Sequence, residues 1–396
     1  MKTLFLSLSI GSILASLSPY SAHATSFTDS LDGYLDMGEY LAENAYGFLP
    51  VPIIITEPAI GYGAGFIGVF LHESDDQKEK RKELAAESVD GGAQLLTPAI
   101  SAVGGFKTDN GTWIAFAGHR RSWNQDQIRY QVGTGYGDIK MTFYNPNGSR
   151  NLEQDRNRNG VTLGMEGAMI TQQLQFRVND TPLFLGVSQL YVSPEFSLEG
   201  NSKVNELISQ WVNTTPEVSG FGLVAEYDSK NSFLYPTDGY NYKAEYTLFR
   251  KSIGSDYDYD TFNIKGLNYW PVVQDWTFAL KAQYKSLSND DTFLPPPAYP
   301  DIEMRGIARN RYQGNYTASI ESQVMWQITS RWATSVFGGL GSATQSAGQL
   351  FDTENHYSYG TGIRYTIARR YGLRSGIDIA FSEEDTAIYF QVGTGL

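Results

Sequence analysis

The chain has 396 residues, no cysteine, a formal net charge of −13 and only 18% charged residues. Without cysteine neither a disulfide framework nor thiolate chemistry is available, and the acidic balance excludes the basic footprint of a nucleic-acid binder. Forty glycines, 26 tyrosines, 21 phenylalanines and 7 tryptophans give a helix-poor, aromatic composition that suits a chain crossing a membrane as strands.

The first residues, Met1-Lys2, an apolar run from Leu4 to Leu17 and the small-x-small pattern Ala22-His23-Ala24, predict a secretory signal peptide over 1–24. Residues 25–56 read as a periplasmic N-terminal helix and linker. Leu31, Leu35, Met37, Leu41 and Phe48 recur at near-helical spacing among Asp29, Asp32, Asp36, Glu39 and Glu43, the pattern of a short amphipathic helix packed on a barrel mouth.

From residue 57 to 396 the rhythm is strand, turn, strand. Tyr240, Tyr242, Ala244, Tyr246 and Leu248 alternate with Asn241, Lys243, Glu245 and Thr247, and Trp276, Phe278, Leu280, Ala282 and Tyr284 alternate with Thr277, Lys281, Gln283 and Lys285. Period two of this kind, with charge on one face and apolar or aromatic groups on the other, inverts a soluble barrel, whose dry core would make buried Lys, Glu and Arg costly. Strands are predicted at 57–71, 95–108, 112–122, 128–144, 160–178, 182–198, 218–228, 239–250, 260–270, 276–288, 315–328, 332–342, 357–369, 371–381 and 386–396, the last alternating to Leu396. That is fifteen. Single-chain bacterial barrels close with an even number, so a sixteenth is expected between 128 and 217. The fold class is therefore all-β, a transmembrane antiparallel barrel of sixteen strands.

Asp109-Asn110-Gly111-Thr112 is a tight hairpin turn, with positive φ tolerated at both central residues. The segments 72–94 and 289–314 read as long external loops, the first carrying a mixed-charge run from Asp75 to Glu83. Asp155, Asn157, Asn159, Gly160 and Glu166 match the linear spacing of a calcium loop, although strand-like flanks favour a polar turn. Calcium on Asp155, Asn157, Asn159 and Glu166 is the single ion the sequence offers, and no cofactor is otherwise expected. His72, His119 and His356 stand outside any nucleophile signature, so no enzyme is expected.

Met304-Arg305-Gly306-Ile307-Ala308-Arg309-Asn310-Arg311 puts three arginines into seven residues of an acidic chain. Such a loop seeks carboxylates inside the molecule. Arg305 within a lumen needs an anionic partner, and Gly306 lets the backbone turn tightly beside it. Glu321, on the following strand, is the preferred counter-charge.

These elements together resemble the BamA/TamA-type (bacterial surface antigen) outer-membrane β-barrel superfamily, in a short form lacking periplasmic repeat (POTRA) domains. The resemblance is carried by Gly47-Phe48-Leu49-Pro50-Val51-Pro52 through Gly61-Tyr62-Gly63-Ala64-Gly65, by Arg305-Gly306, by Asp228-Ser229-Lys230-Asn231 with Pro236-Thr237-Asp238-Gly239, and by Arg374, Gly376 and Asp378. It departs at Gln323, Met325 and Gly339, where the family pattern carries charged residues. It implies a loop, 289–314, folded back into the lumen with Arg305, Gly306, Arg309 and Arg311. It also implies a barrel in the outer membrane of a Gram-negative bacterium that assists insertion or translocation of proteins or lipids through a first-to-last strand seam. Outer-membrane lipid, lipopolysaccharide and client outer-membrane or secreted proteins are the expected partners. The rival expectation is a passive porin-like channel or structural barrel, with a homo-oligomer open to either reading.

Overall fold

A computed structural model describes residues 27–29, 32–38, 48–57, 59–72, 99–144, 160–198, 214–232, 235–289, 294–352, 354–369, 372–383 and 385–396. They form one sixteen-stranded antiparallel sheet whose order follows the chain. Its strands are β1 (Phe48–Glu57), β2 (Gly61–His72), β3 (Ala99–Thr108), β4 (Trp113–Trp123), β5 (Ile128–Tyr144), β6 (Gly160–Arg177), β7 (Leu183–Leu198) and β8 (Val218–Asp228). β9 (Gly239–Phe249), β10 (Tyr259–Val273), β11 (Trp276–Asn289), β12 (Tyr316–Gln327), β13 (Trp332–Thr344), β14 (Asn355–Ala368), β15 (Leu373–Ser382) and β16 (Thr386–Val392) complete it.

The period-two pattern decides which face goes where. On β12 Ile320 and Trp326 are exposed while Glu321 and Gln323 are buried, and on β15 Ile377 and Ile379 are exposed while Asp378 is buried. Apolar groups outside and polar groups within are what hydrocarbon rather than water selects, and most of these strands exceed the ~9–11 residues a span requires. No helix among the described residues is long and apolar enough to cross a membrane. Trp123, Trp270, Trp276, Trp326 and Trp332 all lie at strand ends on one rim, with Trp276 and Trp326 stacked at 5.3 Å. A belt of this kind sits where an indole can meet both lipid and headgroup.

The same rim holds the N-terminal segment. Of the residues expected to be helical, 27–29 and 32–37 instead run antiparallel about a Thr28–Leu35 bridge and Gly38 alone is helical; 25–26, 30–31 and 39–47 lie outside the described residues. Gly33 has φ +72°, and three carboxylates converge on one cation, a requirement that overrides helical periodicity. Arg331, in the β12–β13 turn and 2% exposed, donates to Asp29 Oδ2 at 2.6 Å, to Asp32 at 2.6 and 2.9 Å, and to Asp36. Arg369 adds a 2.8 Å pair to Asp29, and Met37 N–H donates to Ile367 O at 2.7 Å.

Four further expectations are corrected. The sixteenth strand is β1, not a strand hidden between 128 and 217, so the barrel begins at Phe48 within the region assigned to the linker. β16 ends at Val392, because Gly393 and Gly395 take φ of +90° and +89° and turn residues 393–396 inward. Only Gly111 of the Asn110-Gly111 turn has positive φ. Finally, strand order puts the β2–β3 connection on the rim of the N-terminal segment and the β11–β12 connection on the opposite rim, so the two long loops do not share a side. Residues 73–98 of the first lie outside the described residues.

Candidate functional site

The β11–β12 connection turns back into the lumen, where Ile302, Met304 and Ile307 pack together as a buried cluster. β13 makes room for it. A Cβ on Gly341 would lie 2.6 Å from Ile302 Cγ2, and one on Gly339 would lie 3.0 Å from Met304 Sδ.

Arg305, 6% exposed, sits at the centre of the loop's contacts. Its backbone N–H donates to Glu321 Oε2 at 3.2 Å, and its Nε and Nη2 donate to Glu321 Oε1 at 3.0 and 2.7 Å. Nη2 also reaches Gln323 Oε1 at 2.7 Å, and Nη1 reaches Asp378 Oδ2 at 2.7 Å. The guanidinium carbon lies 3.5 Å from the Phe337 ring centroid, a cation–π contact in a desolvated setting. Arg364 of β14 grips the same Asp378 with both Nη atoms, at 2.6 and 2.9 Å. Two guanidinium groups thus face two fully buried carboxylates, which leaves the enclosed cluster without net charge. Arg364 Nε and Nη2 additionally donate to the carbonyls of Gly393 and Thr394, at 3.0 and 3.2 Å, and Gln323 Nε2 donates to Thr394 O at 3.1 Å. These bonds capture the inward-turned C-terminal residues.

Gly306 has φ +88°, and a Cβ there would come within 3.2 Å of Phe381 O, so the backbone needs glycine on both counts. Its N–H donates to the Tyr389 hydroxyl of β16 at 3.0 Å. Arg309 N–H donates to Glu57 Oε1 of β1 at 3.1 Å, and its guanidinium pairs with Glu303 at 2.6 Å. Arg311 pairs with Asp385, in the β15–β16 turn, at 3.3 Å. Burial opposes ionisation of Glu303, but Arg309 and Lys285 prevail and hold its carboxyl well below the usual range.

The loop therefore touches both sides of the junction between the first and last strands. β1 and β16 lie against one another, yet the strand order joins them by no ladder among the described residues. β1 explains part of this. Pro50 and Pro52 stand opposite Gly68 and Phe66 in an unbroken ten-residue register with β2. Proline has no N–H, so within a continuous ladder its nitrogen side must face away from the bonded partner. Both prolines then turn that side toward β16, on an edge where alternate residues should donate.

Of the residues singled out from sequence, Arg305, Gly306 and Glu321 meet in this cluster, with Arg309 and Arg311 on its rim. Sequence reading missed Gln323 and Arg364 as ligands of the cluster; inward parity on β12 and β14 was the available signal. Asp155, Asn157 and Asn159 lie outside the described residues. Glu166 faces outward and accepts from the Tyr136 hydroxyl at 2.9 Å. His356 stacks on Tyr312 of the loop.

Among solved structures the chain is similar to BamA from Haemophilus ducreyi lacking POTRA domains 1–3, with TM-score 0.55 and 10% identity over 87% of this chain and 70% of that one. The chain has the BamA-type barrel fold. CdiB from Escherichia coli (TM-score 0.54, 9% identity) and CdiB from Acinetobacter baumannii (0.53, 9%) are similar over 87% of this chain. The BamA-type barrel spans 61% and 58% of those two CdiB chains, respectively. No protein-family model and no curated protein sequence matches it.

Proposed function

We propose that this BamA-type barrel resides in the outer membrane of a Gram-negative bacterium and assists insertion or translocation of proteins or lipids through the β1–β16 seam. The observation that carries the reading is the seam itself: two neighbouring strands outside a common ladder, bridged from the lumen by Gly306 to Tyr389 and by Arg309 to Glu57. An unpaired strand edge is a template for an incoming strand. The rim with the N-terminal segment faces the periplasm in this reading, and the Arg305 loop starts from the cell-surface rim. The buried loop occupies lumen that a steady pore would need open, which disfavours the channel reading.

Engineered cysteine pairs joining β1 to β16 test it cleanly, because the chain has no cysteine of its own. In cells whose only copy carries such a pair, oxidation is expected to deplete a subset of outer-membrane proteins or lipids, and reduction to restore them. Unchanged abundances with the seam locked, or a large steady conductance in planar bilayers, would sink the reading.

A further inference from the structure

The outer wall of β2–β4 carries a polar cluster that the lumen site does not use. His72 shares the outward face of β2 with Tyr62 and Phe66, Ser101 that of β3 with Val103, and His119 and Arg121 that of β4 with Trp113 and Trp123; the named aromatic and apolar neighbours are all exposed. Ser101 lies directly opposite His119 in the register, and His72, opposite Ala99, is one same-face step nearer the Trp rim. Ser101 Oγ is 2.9 Å from His72 Nε2 and 2.8 Å from His119 Nδ1. The Arg121 guanidinium lies 5.4 Å from the Trp123 ring centroid.

One hydroxyl carries one proton, so at most one of these imidazole nitrogens accepts from Ser101 and the other must donate to it. When both imidazoles are protonated on the nitrogens that face Ser101, Oγ accepts twice and its O–H turns outward. The cluster then offers a hydroxyl and a guanidinium to whatever lies against the wall. Outward positions of β2–β4 include His72, His119, Arg121 and Lys107 and no carboxylate, and the first acid on the next strand, Asp138, lies opposite Trp113 at the other rim. A cation-bearing face at a tryptophan rim calls for an anion at headgroup level.

We propose that His72, Ser101, His119 and Arg121 form a clasp for the phosphate of an anionic glycerophospholipid seated against the outer wall of β2–β4. His72 is the last residue of β2 and Trp123 the last of β4, so the clasp lies within about two same-face steps of ~7 Å from the rim, the depth of a headgroup and its first ester. A second copy of the chain docking symmetrically would bring these cations against their own images. The clasp stands whether or not the β1–β16 seam opens.

The test uses the full chain, purified in detergent and exchanged with phosphatidylglycerol or phosphatidylcholine, with bound lipid counted by native mass spectrometry. Wild type is expected to retain phosphatidylglycerol about tenfold better, the value of one charge-assisted hydrogen bond. Arg121→Gln combined with His119→Gln should abolish that preference. Lys107→Gln, on the same face at the far rim, should keep it. Heat-modifiable gel migration verifies that each variant is folded. Equal retention of both lipids by wild type, a preference surviving in the double variant, or a lipid-free dimer through this face overturns the proposal. So does Ser101-dependent release of lysophospholipid, which would mean that the site cleaves rather than holds.

Discussion

The Arg309 backbone N–H donates to Glu57 Oε1 at 3.1 Å, which ties the lumen loop to the last residue of β1. Three residues earlier in the loop, Gly306 N–H donates to Tyr389 on β16. One short peptide thus bridges two neighbouring strands that share no ladder among the described residues. Removing a bond to a charged acceptor costs roughly 1.5–3 kcal/mol, enough to shift a marginal junction. Glu57→Ala is expected to speed amide hydrogen exchange over 48–57, and Tyr389→Phe over 386–392, while β5–β7 stay protected. Exchange unchanged in both strands would show that the loop does not support the seam.

Arg305 offers a sharper energetic test. Its removal strands Glu321, which is essentially without solvent exposure, and leaves Asp378 to Arg364 alone. Uncompensated buried charge costs about 3–5 kcal/mol, so Arg305→Ala should markedly lower the temperature at which the barrel loses its folded gel migration. Arg305→Lys should recover only part of this, because a single ammonium cannot replace a fork that reaches Glu321, Gln323 and Asp378 together. Arg305→Ala with Glu321→Gln should be less damaged than the sum of the singles, since one orphaned charge is gone.

How far the sequence reaches is clear from particular residues. Glu321 was legible as a counter-charge because odd positions on β12 face inward, a local property. Arg364 was legible only as an inward position on β14; that it and Asp378 converge on the loop depends on the register of β12 to β15, which no single strand's pattern carries. β1 was overlooked as a strand for a physical reason: two prolines and the run Ile53-Ile54-Ile55 break alternation, and proline belongs only on an edge. β16 was overextended because alternation continues through Gly393 and Gly395, whose freedom to adopt positive φ leaves no trace in a period-two pattern.

At the opposite rim, Arg331 binds Asp29, Asp32 and Asp36. The Arg331 hydrogen bond, working against burial, holds the Asp32 carboxyl below its ordinary value of 3.8. A carboxylate depressed in the folded state stabilises fully above that ordinary value and loses its contribution as pH falls through the depressed one. Pulsed hydrogen exchange should therefore find residues 27–37 protected at pH 7 and released at strongly acidic pH. Arg331→Ala should release them already at neutral pH, because three carboxylates then lose their shared cation. Protection persisting in that variant would mean that packing, not charge, anchors the segment.

The prolines of β1 make the last prediction. Pro50 and Pro52 remove two donors from the edge that faces β16, and β16 itself stops at Val392. Pro50→Val with Pro52→Val restores both N–H groups on residues that favour strands, at positions where the β2 register is already continuous. Each new backbone bond would add about 0.5–1.5 kcal/mol to the junction. The double variant is expected to slow amide exchange in β1 and β16 and, under the proposed function, to lower the abundance of the outer-membrane proteins or lipids that depend on the seam, without loss of folded barrel. The β1–β2 register runs unbroken through both positions, so the effect reads on the seam. Slower exchange with undiminished insertion would separate strand pairing from function; unchanged exchange would show that the prolines are not what keeps the two strands apart.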